Sequence, residues 1–166
     1  MAGKKDSGKF ETATFAAGCF WGVEEIFRQV KGVKETAVGY CGGEMKNPTY
    51  EDVCGDETGH AEAVQIKFDP KEVSYEKLVD VFFKNHNPTT INRQGFDVGS
   101  QYRSAIFYHD EGQKKIAEKV KKEVEKSGKW KQPIVTQIVP AQEFFEAEEY
   151  HQKYYFKRGM KAVCRL

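Results

Sequence analysis

The apolar residues of this chain change period repeatedly, from two residues to about 3.6 and back, with polar breaks between. Segments of these two kinds each bury one face and must therefore pack as layers. Residues 10–17 alternate as a strand and end small and apolar. Residues 20–30 place Val23, Ile26, Phe27 and Val30 on one helical face, with Glu24 and Glu25 favouring the first turn. Residues 36–40 read as a strand, and so do residues 61–68, through Ala63, Val64, Ile66 and Phe68. Ser74 caps a helix reaching about residue 85, with Leu78, Val79, Phe82 and Phe83 inward. A strand over 102–108, a helix capped by Asp110 and ending near 126, a strand over 134–139 and a last helix over 144–156 complete the pattern. This order favours an α+β fold, a ferredoxin-like split β-α-β core with long loop insertions. A doubly wound parallel sheet is the alternative. The polar stretches 41–59 and 86–101 are longer than ordinary connections. With the turn after the first strand, they are predicted to supply the functional site.

The length of 166 residues suits one domain. Residues 1–9 are polar and rich in Gly and Lys and are expected to form a flexible tail; residues 10–166 are expected to form one catalytic domain with a C-terminal tail. A net charge of +1 lacks the basic excess of a nucleic-acid binder. The lysine run from Lys114 to Lys126 is interrupted by Glu118, Glu123 and Glu125 and reads as a solvated helix face. No apolar run approaches the roughly 18 residues of a membrane span, and no signal-peptide core is present. A cytoplasmic monomer is expected, with its four cysteines reduced at rest. Cys19, Cys41, Cys54 and Cys164 lack paired C-x-x-C spacing, and the four histidines form no metal signature. No metal or nucleotide cofactor is expected. Aromatic residues reach 13%, enough to line a pocket as well as a core.

Cys19 lies where a strand becomes a helix, after Gly18, which allows a tight turn. Free amides and the positive end of the helix dipole favour a thiolate there. From placement alone, a reactive thiol and a small buried hydrophobe are equally open readings.

Five motifs add to this one. They are Gly18-Cys19-Phe20-Trp21-Gly22, Thr49-Tyr50-Glu51-Asp52-Val53-Cys54, Gly59-His60-Ala61-Glu62, the run from Arg93 to Ser104, and Ala147-Glu148-Glu149-Tyr150-His151-Gln152. Together, in this order, they resemble the peptide methionine sulfoxide reductase A family over residues 13–151. The resemblance implies reduction of methionine S-sulfoxide, free or in oxidised proteins, through a Cys19 sulfenic acid. It implies Phe20 and Trp21 as the cage for the substrate methyl group. Glu62, Tyr50 and Tyr102 are implied to activate the oxygen, and Asp97 to assist Cys19 or hold the hydrogen-bond network. Glu62 stands at the start of a strand expected to be partly buried, where burial would raise its carboxyl and keep it protonated near neutral pH. Taken without the resemblance, Glu62 reads as an exposed strand-edge acid, and the tyrosines as ordinary pocket or core residues. A second thiol must condense with the sulfenic acid, and thioredoxin or a similar dithiol must then reduce the disulfide. Cys164, in the C-terminal tail, is the first choice for that thiol. Cys41, in a Gly-rich segment, is the second, and Cys54 reads as a semi-buried bystander. His60 and His151 match family positions as supporting hydrogen-bond partners. A Cys-based peroxidase and a non-catalytic thioether-binding module are the rival readings.

Overall fold

A computed structural model describes residues 10–160. The expected N-terminal tail and Cys164 lie outside the described residues. Six strands form one sheet: β1 (Glu11–Ala17), β2 (Val33–Cys41), β3 (Ala61–Phe68), β6 (Ser104–Tyr108), β7 (Gln137–Pro140) and β8 (Phe145–Glu146), in the order β7-β6-β1-β3-β2-β8. The four inner strands, β6-β1-β3-β2, are antiparallel throughout. With α1 (Phe20–Arg28) between β1 and β2, and α3 (Tyr75–Lys84) between β3 and β6, they form the expected ferredoxin-like split β-α-β core. The pairing rules out a doubly wound parallel sheet. Only β7 is parallel to its neighbour, β6.

Alternation along the strands decides what covers each face. Ala13, Phe15 and Ala17 of β1, and Val64, Ile66 and Phe68 of β3, join the core built with α1, α3 and α4 (Glu111–Lys126). Phe15 sits at its centre, stacked on Phe27 at 5.1 Å and on Phe82 at 5.3 Å. The opposite face offers mostly small residues, Ala16, Cys41, Ala61, Ala63 and Ala105, and loop residues such as Ala141 and Phe144 lie close over it. Glu62 belongs to the helix-covered side by this alternation and is 1% exposed. It is not a strand-edge acid.

Helix starts follow the side-chain caps. Ser74 accepts from the Lys77 amide and Asp110 from the Gln113 amide. The first long stretch contains a short helix missed by periodicity, α2 (Tyr50–Cys54), started by a reciprocal capping box between Thr49 and Asp52. The second contains a two-residue-strand hairpin, β4 (Arg93–Gln94) and β5 (Asp97–Val98), and a 3-10 turn over Ser100–Tyr102. Tyr102 therefore precedes strand β6 instead of beginning it. The strand expected over 134–139 forms only at its end, as β7.

The last expected helix, over 144–156, does not form. Its residues divide into β8, a 3-10 turn over Glu149–His151 and the single-turn helix α5 (Tyr154–Lys157). The Gln152 side chain bonds the amide and the carbonyl of Val38 and the carbonyl of Ala147. That segment is thus held by the sheet edge rather than by its own helical ladder. Among the described residues, no helix is long and apolar enough to cross a membrane.

Candidate active site

The β1–α1 turn places Cys19 at the N-cap of α1. Gly18 has φ +95°, and a side chain there would meet Gln94 Cγ at 2.7 Å. Gln94 is itself fixed, since its side chain accepts from the Asn87 amide at 3.0 Å and donates to the Asn87 carbonyl. The β4–β5 hairpin is therefore lodged against the turn that carries Cys19, and brings Asp97 with it.

The Phe20 amide donates to Glu62 Oε1 at 3.2 Å. The Cys19 side chain makes no cap hydrogen bond, although the Trp21 and Gly22 amides lie near enough to favour its charged form. The expectation of a resting thiolate is nevertheless overturned. Burial pushes the Cys19 thiol up to about 11, and the Glu62 and Asp97 charges raise it further against the two amides.

Glu62 is the most unusual group of the cleft. Burial raises its carboxyl to about 7, opposed by the Phe20 amide and aided by Asp97. Its second oxygen, Oε2, is buried and has no hydrogen-bond partner. Tyr102 and Tyr50 lie within reach of its charge, and burial keeps both phenols protonated. The Tyr50 hydroxyl bonds the Cys54 thiol. Asp97 is exposed at the rim, and its charge is felt at Cys19, Glu62 and Tyr102.

The two aromatic residues differ. Phe20 is buried among Tyr40, Tyr50 and His151, with ring centroids 5.3–6.5 Å away. Trp21 is half-buried and lies flat on Tyr154, 3.8 Å away and 6° from parallel, while the Arg158 guanidinium covers the Tyr154 ring at 3.6 Å. The Trp21 indole N–H donates to His151 Nδ1 at 2.8 Å. Glu148 bonds the Tyr50 amide and the Tyr40 hydroxyl, each at 3.0 Å.

The candidate thiols are separated. Cys41 is buried on the alanine-lined face of the sheet, opposite to Tyr40, with its thiol 3.7 Å from the Gln142 carbonyl. Cys54 is exposed rather than semi-buried and touches Tyr50. Cys19, Cys41 and Cys54 are all free thiols. Among the described residues, no group of three or more His, Cys, Asp or Glu side chains is placed to hold a metal ion.

The structure thus brings Cys19, Glu62, Tyr50, Tyr102 and Asp97 within electrostatic reach of one another around the turn that carries Phe20 and Trp21. The reading of single residues missed Gln94 and Tyr154 altogether. Gln94 lies within the run from Arg93 to Ser104, but nothing in that run assigns it a role. Tyr154 had a local signal, its aromatic neighbourhood three residues after His151.

The family model described as peptide methionine sulfoxide reductase matches residues 11–166. The chain belongs to this family. A peptide methionine sulfoxide reductase MsrA of Methanosarcina acetivorans is 66% identical over 149 residues, covering 90% of this chain and 79% of the relative. The reduced form of Mxr1 from Saccharomyces cerevisiae superposes with a TM-score of 0.87 at 38% identity, covering 95% of this chain and 91% of that one. Mxr1 in complex with Trx2 matches with a TM-score of 0.65 at 31% identity, covering 90% and 87% of the two chains.

Proposed function

We propose that this member of the reductase family reduces methionine S-sulfoxide, free or within oxidised proteins, with Cys19 as nucleophile and Glu62 as acid. The observation that carries the role of Glu62 is a buried carboxyl raised to about 7, tied by one oxygen to the Phe20 amide next to Cys19, with the other oxygen unpartnered and its charge felt at the thiol. A buried acid that is neutral near pH 7 and has one oxygen free suits donation to a weakly basic sulfoxide oxygen. Phe20 and Trp21 hold the methyl group, and Tyr50 and Tyr102 add donors to the oxygen. Asp97 holds the rim and tunes the charge near Cys19.

The Cys19 sulfur attacks the sulfoxide sulfur while Glu62 protonates the oxygen, and the thiol proton restores the carboxyl. The transient bond between the two sulfurs and the S–O bond of the substrate then break as the hydroxyl passes to the Cys19 sulfur, so that methionine leaves and Cys19 becomes a sulfenic acid. A second thiol then condenses with it to a disulfide, releasing water. Cys164 remains the first choice, and Cys54, beside Tyr50, is now preferred to the buried Cys41. A thioredoxin-type dithiol returns the electrons, in keeping with the match to the Mxr1 complex with Trx2. The cycle runs within one domain, with the chain acting as a monomer in the reducing cytoplasm. The family match over residues 11–166 favours the reductase over a Cys-based peroxidase.

Stereospecific turnover is the test. Wild-type protein with a dithiol should consume the S epimer of methionine sulfoxide and leave the R epimer. Turnover of both epimers alike, or of neither, would contradict the proposal.

A further inference from the structure

We propose that Phe96, at the tip of the β4–β5 hairpin, is a specificity-determining residue that seats an apolar side chain flanking the oxidised methionine of a polypeptide substrate. The inference rests on the reading of the neighbouring cleft as the sulfoxide site. Phe96 is fully exposed, and Val98 and Ile91 of the same segment are 72% and 71% exposed. Single apolar side chains in solvent are ordinary, but three on one short hairpin mark a surface that meets something apolar. The attack on the sulfoxide and the protonation of its oxygen use none of them.

The hairpin is built to hold Phe96 in place. Gln94 pairs with Asp97, and the two residues between them, Gly95 and Phe96, make the turn. Gly95 has φ +58°, a sign of angle that tight hairpin turns favour and that glycine adopts freely. Below the turn both arms are tied. The Thr90 hydroxyl donates to the Arg93 carbonyl at 2.6 Å, and the Gly99 amide to the Asn92 carbonyl at 2.8 Å. A side chain presented on a tied turn meets a ligand without the ordering cost of a mobile loop.

Position decides what Phe96 meets. Strand alternation puts Gln94 and Asp97 on one face of the hairpin and Arg93 and Val98 on the other. The first face is turned to the nucleophile: Gln94 lies against Gly18, and the Asp97 charge is felt at Cys19. Phe96 therefore stands between the cleft and the bare Val98 on the outer face. A polypeptide whose sulfoxide reaches Cys19 carries its neighbouring side chains over this rim. Free methionine sulfoxide has no neighbours to place there. The chain belongs to a family of peptide methionine sulfoxide reductases, so a polypeptide is the partner that this continuation of the cleft fits.

The test uses the full chain, dithiothreitol as reductant and three substrates. Two are peptides of equal length carrying methionine S-sulfoxide, one flanked by leucines and one by serines; the third is free methionine S-sulfoxide. Wild type should show a kcat/KM about tenfold higher for the leucine-flanked peptide, within what covering one phenylalanine ring supplies. In Phe96→Ser that preference should shrink to within about twofold through a rise in KM, with turnover of the free amino acid near wild type. No preference in wild type, a preference that survives in Phe96→Ser, or an equal loss with the free amino acid would overturn the proposal. So would a Phe96→Ser protein whose KM rises for thioredoxin alone, or one that only loses a dimer. A second measurement needs neither turnover nor that variant. Cys19→Ser should bind the leucine-flanked peptide about tenfold more tightly than the serine-flanked one, with Overhauser contacts between the leucine methyls and the Phe96 ring. The absence of those contacts counts against the proposal. A wild type without any sulfoxide turnover would instead strike at the assigned activity and leave this binding readout intact.

Discussion

Two carboxyl groups, Glu24 on α1 and Glu62 on β3, are each 1% exposed, yet they are treated in opposite ways. Glu24 is satisfied on both oxygens. The Thr36 hydroxyl donates to one at 2.7 Å and the Lys153 amide to the other at 2.7 Å. It ties α1 to β2 and to the C-terminal segment. Glu62 has a single donor, at 3.2 Å, and an orphaned second oxygen. Leaving a buried polar atom unpaired costs about 1–3 kcal/mol, so the half-satisfied acid is the one held ready for a ligand. Burial by itself does not distinguish a working carboxyl from a structural one. The number of partners does.

Removing the nucleophile gives the largest expected effect. Cys19→Ser should show no measurable sulfoxide reduction while folding normally, because its place at the helix cap accepts a hydroxyl as well as a thiol. Residual turnover near the wild-type rate would end the account. Next comes Glu62→Gln, which keeps the hydrogen bond from Phe20 but cannot give a proton. Single-turnover rates should fall about 10²–10⁴-fold, with little change in substrate affinity. An equal fall for Glu24→Gln would erase the contrast between the two acids.

Glu24→Leu sharpens the comparison from the other side. It strands the Thr36 hydroxyl and the Lys153 amide, and should lower the unfolding free energy in urea by about 3 kcal/mol while the kcat of folded protein stays near wild type. The smallest effect is the pH dependence of stability. The folded pKa of Glu62 is raised to about 7, above its unfolded value. The native state therefore binds more protons than the unfolded state between about pH 4.5 and 7, and stability falls as pH rises through that window. Urea titrations should show this slope flattened in Glu62→Gln and kept in Glu24→Gln.

The ferredoxin-like core was legible because its elements declare themselves locally. β1, α1, β3, α3 and α4 follow apolar period, and Ser74 and Asp110 mark two of the helix starts. The segment 144–156 was not, because Gln152 and His151 are committed to Val38 and Trp21, more than 110 residues away in sequence. Such long-range bonds leave no periodic trace. The site was legible through its motifs, and so was the raised carboxyl of Glu62, but the state of the thiol was not. The helix terminus beside Cys19 can be read from Gly18-Cys19, whereas the desolvation that outweighs it depends on β3 and the hairpin closing over the thiol. Glu62 taken alone looked like an exposed acid for the same reason, since the full extent of its burial depends on α1 covering β3.

The claim that Glu62 is the working acid is tested most directly by the pH dependence of a single turnover, following sulfenic acid formation at Cys19 with methionine S-sulfoxide in excess. The account predicts a wild-type rate that is level below about pH 7 and falls about tenfold per unit above it, with no such fall in Glu62→Gln. The same alkaline fall in both proteins would contradict it.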